Sequence, residues 1–205
     1  MFLPSTSGPV WLASRSPRRR KLLAEAGVAV RLRPAEVDDG DLSPGDVSTA
    51  HWVAALAYLK GRWVADALLH AGEQRGTILA ADTVCVHDER ILGQPASAGE
   101  ARRMLVALRD ETHETITGVC LISLADSRRW LLVDRATVRY GHVSDREIDR
   151  YVRSGEWRGK AGAYNLQDRL SAGWPLECEG DPATVMGLPM RRLGPWLARV
   201  REEGR

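Results

Sequence analysis

Val10-Trp11-Leu12-Ala13-Ser14-Arg15-Ser16-Pro17-Arg18-Arg19-Arg20-Lys21-Leu22-Leu23-Ala24-Glu25-Ala26-Gly27 carries a short apolar run into a helical pattern across a Ser-Pro boundary. Ser16 suits a helix N-cap, Pro17 the first helical position and Gly27 the exit. Leu22, Leu23 and Ala26 form the expected buried stripe. Val28 to Leu32 then returns as a strand. A strand, a helix and a second strand at the start of the chain point to an α/β or α+β domain.

The rest of the chain continues the alternation. A polar loop with Asp38, Asp39 and Asp41 is followed by an amphipathic helix from Ser48 to Leu69. Val53, Leu56, Leu59 or Lys60, and Val64 recur along it at helical spacing. TILAADTVCV at 77–86 reads as a strand that turns at His87 to Arg90 and pairs with Ile91-Leu92. Ser97 with Glu100, and Ser144 with Glu147, have capping-box spacing. The first opens a helix to about Arg109 and the second a helix to about Gly155. Between them, His113 to Leu124 and Trp130 to Tyr140 read as strands paired across Ala125 to Ser127. Residues 160–189 read as Gly-rich and irregular, and Met190 to Glu203 closes the chain as a helix.

Composition narrows the function classes. At roughly 100–200 residues per domain, 205 residues make one large domain or two small lobes. No uncharged apolar stretch approaches the ~18 residues of a membrane helix, so no membrane is expected as a partner. The N-terminal residues lack a basic leader followed by an apolar block. Cys85, Cys120 and Cys178 form neither a disulfide framework nor a zinc knuckle, so reduced thiols and a cytoplasmic location are expected. A net charge of +2, with acids and bases interleaved outside 14–21, does not make a nucleic-acid face. Only Lys21, Lys60 and Lys160 are lysines among 29 basic residues. A compact ammonium is a different tool from a guanidinium fork, so each lysine is a candidate site residue or a chance survivor.

Three places can hold chemistry. Arg18 and Arg19 lie in the first turn of the first helix, where positive charge opposes the dipole by ~0.3–1 kcal/mol each. An anion between them, such as a phosphate chain, would offset that cost; a solvated basic face or a nucleic-acid contact is the alternative. Asp82 lies inside an otherwise apolar β-run, where a carboxylate is costly unless paired, hydrogen-bonded or bound to a cation. It reads as a general base or metal ligand, or as a solvent-facing position. Thr83 beside it puts a hydroxyl on the other face. The third place is GKAGAYNLQ at 159–167 with GDPATVMGLP at 180–189, where glycine density suggests backbone close to a ligand or tight turns. Lys160, Tyr164 and Gln167 would be its polar groups, and a glutamine amide can read a pyrimidine edge. Asp38, Asp39 and Asp41 offer hard oxygen ligands of the kind that suit Mg²⁺ or Mn²⁺, or form a solvated loop. The five histidines show no ligand spacing.

SRSPRRRKLL at 14–23, LAYLKG at 56–61, AADTVCV at 80–86, ILGQP at 91–95, THETITGV at 112–119, KAGAYNLQ at 160–167 and GDPATVMGLP at 180–189 occur in this order. Together they resemble the Maf family of nucleoside triphosphate pyrophosphatases from about Val10 to Arg199, as a single Maf-like domain. The resemblance implies an inosine-triphosphatase-like fold of two lobes around a deep cleft. It also implies hydrolysis of a nucleoside triphosphate to monophosphate and pyrophosphate with a divalent cation, Mg²⁺ or Mn²⁺. Arg18, Thr83 and Gln167 match the group acting on dTTP and UTP.

By the same resemblance Asp82 is the general base and Asp38, Asp39 and Asp82 face the metal. Arg18, Arg19, Lys60, Thr83, Gln94, Lys160 and Gln167 then hold substrate. The chain departs from the family pattern at Gln94, where lysine is usual, at Asp168, where glycine is usual, and at Thr184, where asparagine is usual. A non-catalytic nucleotide- or nucleic-acid-binding regulator of cell division is the competing class. Nucleic acid is not expected as a partner. The oligomeric state is open, with a homodimer admitted.

Overall fold

The computed structural model describes residues 7–37 and 42–203. Strand β1 (Val10–Leu12) pairs in parallel with both β2 (Val30–Leu32) and β3 (Thr77–His87). A short strand β4 (Arg90–Leu92) folds back antiparallel on β3. With β5 (Thr112–Ser123), β6 (Arg129–Tyr140) and β7 (Leu176–Glu179), the sheet order is β2-β1-β3-β5-β6-β7. The sheet is mixed, because β1 to β3 are parallel whereas β7 runs antiparallel to β6. The short 124–128 connection between β5 and β6 permits only antiparallel pairing there.

The chain divides into two compact units, which exchange along the long strands. The first comprises residues 1–82, 117–134 and 187–205. In it, helix α1 (Pro17–Glu25) begins as expected, with the Ser16 hydroxyl accepting from Arg19 N–H at 3.4 Å and Pro17 at the start. Leu22 and Leu23 are its buried residues, while Ala26 caps the end instead of joining the stripe. Helix α2 (Thr49–His70) buries Val53, Ala57, Gly61, Val64 and Leu68. Ala57, Val64 and Leu68 share an apolar core with Ile78, Ala80, Cys120 and Ile122. At the position where either Leu59 or Lys60 was expected to turn inward, Leu59 is 41% exposed. The final helix α7 (Met190–Glu203) buries Leu193, Trp196 and Leu197 at helical spacing.

The second unit comprises residues 83–116 and 135–186. The β3–β4 turn has Asp88 at φ 48° and Glu89 at φ 61°, the left-handed pair of a tight hairpin. The serine half of both capping boxes forms, ahead of α3 (Ala98–Leu108) and α4 (Asp145–Ser154), while Glu100 accepts from Ala96 N–H and Glu147 from the Ser144 hydroxyl. The Ser97 and Ser144 hydroxyls accept from Glu100 N–H and Glu147 N–H at 3.2 and 3.3 Å. Residues 160–189, expected to be irregular, contain a 3-10 turn at Ala161–Ala163, α5 (Leu166–Ser171), β7 and α6 (Pro182–Val185). These pieces are too short to show periodicity. Their signal lies in their caps, since Asn165 and Asp181 accept the N–H groups of Asp168 and Ala183 at 2.9 and 3.0 Å. Tyr140, Tyr151, Tyr164 and Trp174 pack edge to face through this unit's core. The Arg169 guanidinium covers the rings of Tyr151 and Trp174 at 4.3 and 5.4 Å.

Among the described residues no helix is long and apolar enough to cross a membrane.

Candidate functional site

The first unit gathers Arg18, Arg19, Lys60 and Asp82. Asp82 sits on β3 directly after Ile78 to Ala81, all fully buried, and its own side chain is 13% exposed. A carboxylate so placed requires a partner, and the Lys60 ammonium donates to it at 2.6 Å. Helix α2 makes this possible by pressing its smallest residues on the sheet. A Cβ on Gly61 would meet Ile122 Cδ1 at 3.2 Å and Ala80 Cβ at 3.3 Å. Lys60 precedes that contact point and is carried to the flank of the buried stripe, within reach of the strand.

Arg19, in the first turn of α1, is held by its own fork. Nε donates to the Gly187 carbonyl at 2.8 Å and Nη1 to the Ser14 hydroxyl at 3.1 Å, which also accepts from Ser16 N–H at 3.1 Å. Burial pushes the Arg19 guanidinium down to about 10, with the Asp82 charge opposing the shift and Arg18 adding to it. Arg19 stays protonated at neutral pH and lies within the field of Asp82. Lys60 is therefore paired with the carboxylate, Arg19 lies in its field, and Arg18 adds its charge beside Arg19. Such a cluster attracts a polyanion while keeping a proton acceptor on the strand.

The second unit holds the remaining candidates. Thr83 follows Asp82 on β3 and is half-buried, while Gln94 and Gln167 are exposed. Gly93 O accepts from Gly162 N–H at 3.1 Å, which ties the Gln94 loop to the turn after Lys160. The Lys160 side chain is 11% exposed and its ammonium meets Asp168 at 3.2 Å. Gly162 adopts φ 67°, and a Cβ there would come within 3.0 Å of Cys85 Sγ, so both the dihedral and the space require glycine.

Tyr164, read from sequence as a polar group facing a ligand, is instead core. It is 7% exposed, and its hydroxyl meets His113 Nε2 at 2.7 Å. The contact with His113 gives the buried hydroxyl a partner, and burial raises its pKa well above the usual tyrosine value. Ligand spacing among the histidines does not find His113. The signal for it is the alternation of His113, Thr115 and Thr117 on β5, all buried polar residues on one face of the strand.

His113 gives the fold a pH dependence. Burial, aided by the charge of His87, pushes it down from 6.5 to about 4. The unfolded chain binds this proton more readily, so stability is complete above pH 6.5 and is lost as pH falls toward 4. The loss amounts to about 3 kcal/mol at its limit. His113→Gln should flatten the slope of unfolding free energy against pH between these values; an unchanged slope would place the proton elsewhere.

The Cys85 and Cys120 thiols are not poised as nucleophiles. Cys85, Cys120 and Cys178 form no disulfide, and burial pushes Cys85 and Cys120 up to about 12. Asp38 and Asp39, expected to face a metal, lie outside the described residues. Among the described residues no group of three or more metal-ligating side chains is assembled. Asp82 is the described member of the expected set.

The sequence matches the family described as Maf-like protein over residues 9–200. It is 41% identical to the dTTP/UTP pyrophosphatase of Salinibacter ruber, over 91% of this chain and 88% of the relative. It is 35% identical to the dTTP/UTP pyrophosphatase of Ruminiclostridium cellulolyticum, over 94% of this chain and 96% of the relative. Identity to the protein of the same description from Pelotomaculum thermopropionicum is 38%, over 92% and 94%. With a match along nearly its whole length and relatives of its own size, this chain belongs to the Maf family.

Proposed function

We propose that this chain hydrolyses dTTP and UTP to the monophosphate and pyrophosphate. The reading is supported by membership of the family, by the description that its relatives carry, and above all by the 2.6 Å contact of Lys60 with Asp82 beside Arg18 and Arg19. In this reading water attacks the α-phosphorus in line and pyrophosphate leaves. Asp82 orients the water and takes its proton, because it is the strand-borne carboxylate within a cationic cluster. Arg18, Arg19 and Lys60 hold the phosphate oxygens. Their part is positioning and charge stabilisation, which dominate phosphoryl transfer.

Thr83 and Gln167 select the base, with Arg18 as the third residue of the dTTP/UTP pattern. Gln94 and Lys160 add polar contacts to the substrate.

Asp82, the described donor, is a hard oxygen ligand that suits Mg²⁺ or Mn²⁺, which bind through one or two carboxylates and leave the remaining positions to water and substrate phosphates. Asp82, with Asp38 or Asp39, would hold the ion. When bound it supplies charge neutralisation on the phosphate oxygens. The cytoplasm fits both free thiols and a nucleotide substrate, and no nucleic-acid partner is invoked.

The test is pyrophosphate release from a panel of triphosphates with Mn²⁺ or Mg²⁺. dTTP and UTP should be the best substrates, and chelation should abolish turnover until the cation is restored. Tight, salt-sensitive DNA binding without pyrophosphate release would instead support a regulator.

A further inference from the structure

Lys160 and Asp168 form an ion pair of unequal members. The lysine side chain is 11% exposed, whereas the aspartate side chain is 52% exposed. The cation is largely covered and the anion half-exposed. Backbone geometry fixes both ends. Lys160 leads into the 3-10 turn, where Ala163 N–H returns to the Lys160 carbonyl at 3.0 Å. Asp168 lies in the first turn of α5, its N–H donating to the Asn165 side chain at 2.9 Å and its carbonyl accepting from Ala172 N–H at 3.1 Å. The carboxylate is thus delivered to the ammonium by a capped turn, without a search of many rotamers.

Two polar side chains next to the pair are exposed. Gln167, the residue before Asp168, is exposed. The Gln94 loop, exposed as well, is tied to the same turn through the Gly93 carbonyl. An ammonium with a covered stem has little freedom to seek another partner, whereas a half-exposed carboxylate is readily hydrated. An incoming phosphate oxygen can therefore take the carboxylate's place while the lysine stays where it is. A half-exposed pair contributes up to ~1 kcal/mol, enough to moderate binding without preventing it.

We propose that Asp168 is a built-in counter-ion of Lys160 that an anionic oxygen of the triphosphate displaces, so that Asp168 sets the affinity for substrate. The proposal rests on the pyrophosphatase reading above for the identity of the substrate. Asp168 acts through Lys160 and is a positioning residue with no part in the bond-breaking step.

Asp168→Asn keeps the shape and the capped turn while removing the competing charge. The KM for dTTP and UTP should fall about fivefold, with the change in KM and not in kcat. Inorganic pyrophosphate, measured by calorimetry, should bind tighter by a similar factor, while uridine should bind no differently. In a Lys160→Met background the Asp168→Asn gain should vanish, because no cation remains to be released. An unchanged or higher KM in Asp168→Asn overturns the proposal. So does a gain that survives in Lys160→Met, which would reveal only the long-range field of the carboxylate. Absence of pyrophosphate release by the unmodified protein would defeat the pyrophosphatase reading alone, since the calorimetric arm still tests the pair.

Discussion

Asp82→Asn is expected to lower kcat by about 10²–10⁴-fold on dTTP and UTP, the range for loss of a general base. Asparagine preserves the volume and one acceptor oxygen, so β3 and its apolar run are undisturbed. What disappears is the capacity to take a proton, together with one anionic ligand of the divalent cation, so the comparison is made at saturating Mn²⁺. The Lys60 ammonium, only 20% exposed, loses the Asp82 charge, and so does Arg19, which lies in the same field. The net positive charge of the cluster rises, so the KM should stay the same or fall while kcat collapses. This split separates the base from a residue that merely binds substrate, whose loss raises KM. Single-turnover measurement of pyrophosphate release gives the answer directly. Near-normal turnover of Asp82→Asn on every triphosphate would remove Asp82 from the mechanism.

The cost of placing a carboxylate in the run Leu79 to Val86 was legible as a demand for pairing, a hydrogen bond or a cation, with a solvent-facing position as the alternative, and the Lys60 ammonium is the partner. The identity of the cation was only half legible. Helical spacing allowed either Leu59 or Lys60 to face inward. The choice is made by contact of Gly61 with Ile122 and Ala80, a tertiary event that one helix cannot announce. Capping signals carried further, because Ser16, Ser97 and Ser144 act on N–H groups a few residues away and need nothing else from the fold.

Burial was the harder quantity to read. Tyr164 stands in a Gly-rich motif that suggested exposure, yet its ring is clamped between His113 and Tyr140. Histidine spacing carries no mark of His113, whose signal is its place with Thr115 and Thr117 on one face of a strand. The polar loop with Asp38 and Asp39 was legible as composition alone.

Gly118→Ala is expected to destabilise the protein by about 3 kcal/mol, at the upper end of over-packing costs. Gly118 lies on β5 under helix α2. A Cβ built there would stand 2.5 Å from the carbonyl carbon and oxygen of Val53 and 2.7 Å from Ala54 N. All three are backbone atoms, so no side chain can swing aside, and the helix must lift from the sheet. That helix carries Lys60, and its seat on Ile78, Ala80, Cys120 and Ile122 is what brings the ammonium to Asp82. A shift on the order of 1 Å at a positioned group can cost ~10²-fold in rate. The variant should therefore lose activity at temperatures where it is still folded, besides unfolding roughly 10 °C lower. Gly99→Ala is the matched control. That glycine lies in α3, and the nearest atoms to an added Cβ are the ends of flexible side chains, Arg103 Nη1 at 3.6 Å and Ser97 Oγ at 4.0 Å. It should gain a few tenths to ~1 kcal/mol from helix propensity with activity intact. If Gly118→Ala melted with the unmodified protein and turned over dTTP at the same rate, close approach of α2 to β5 would not be what sets the Lys60–Asp82 distance.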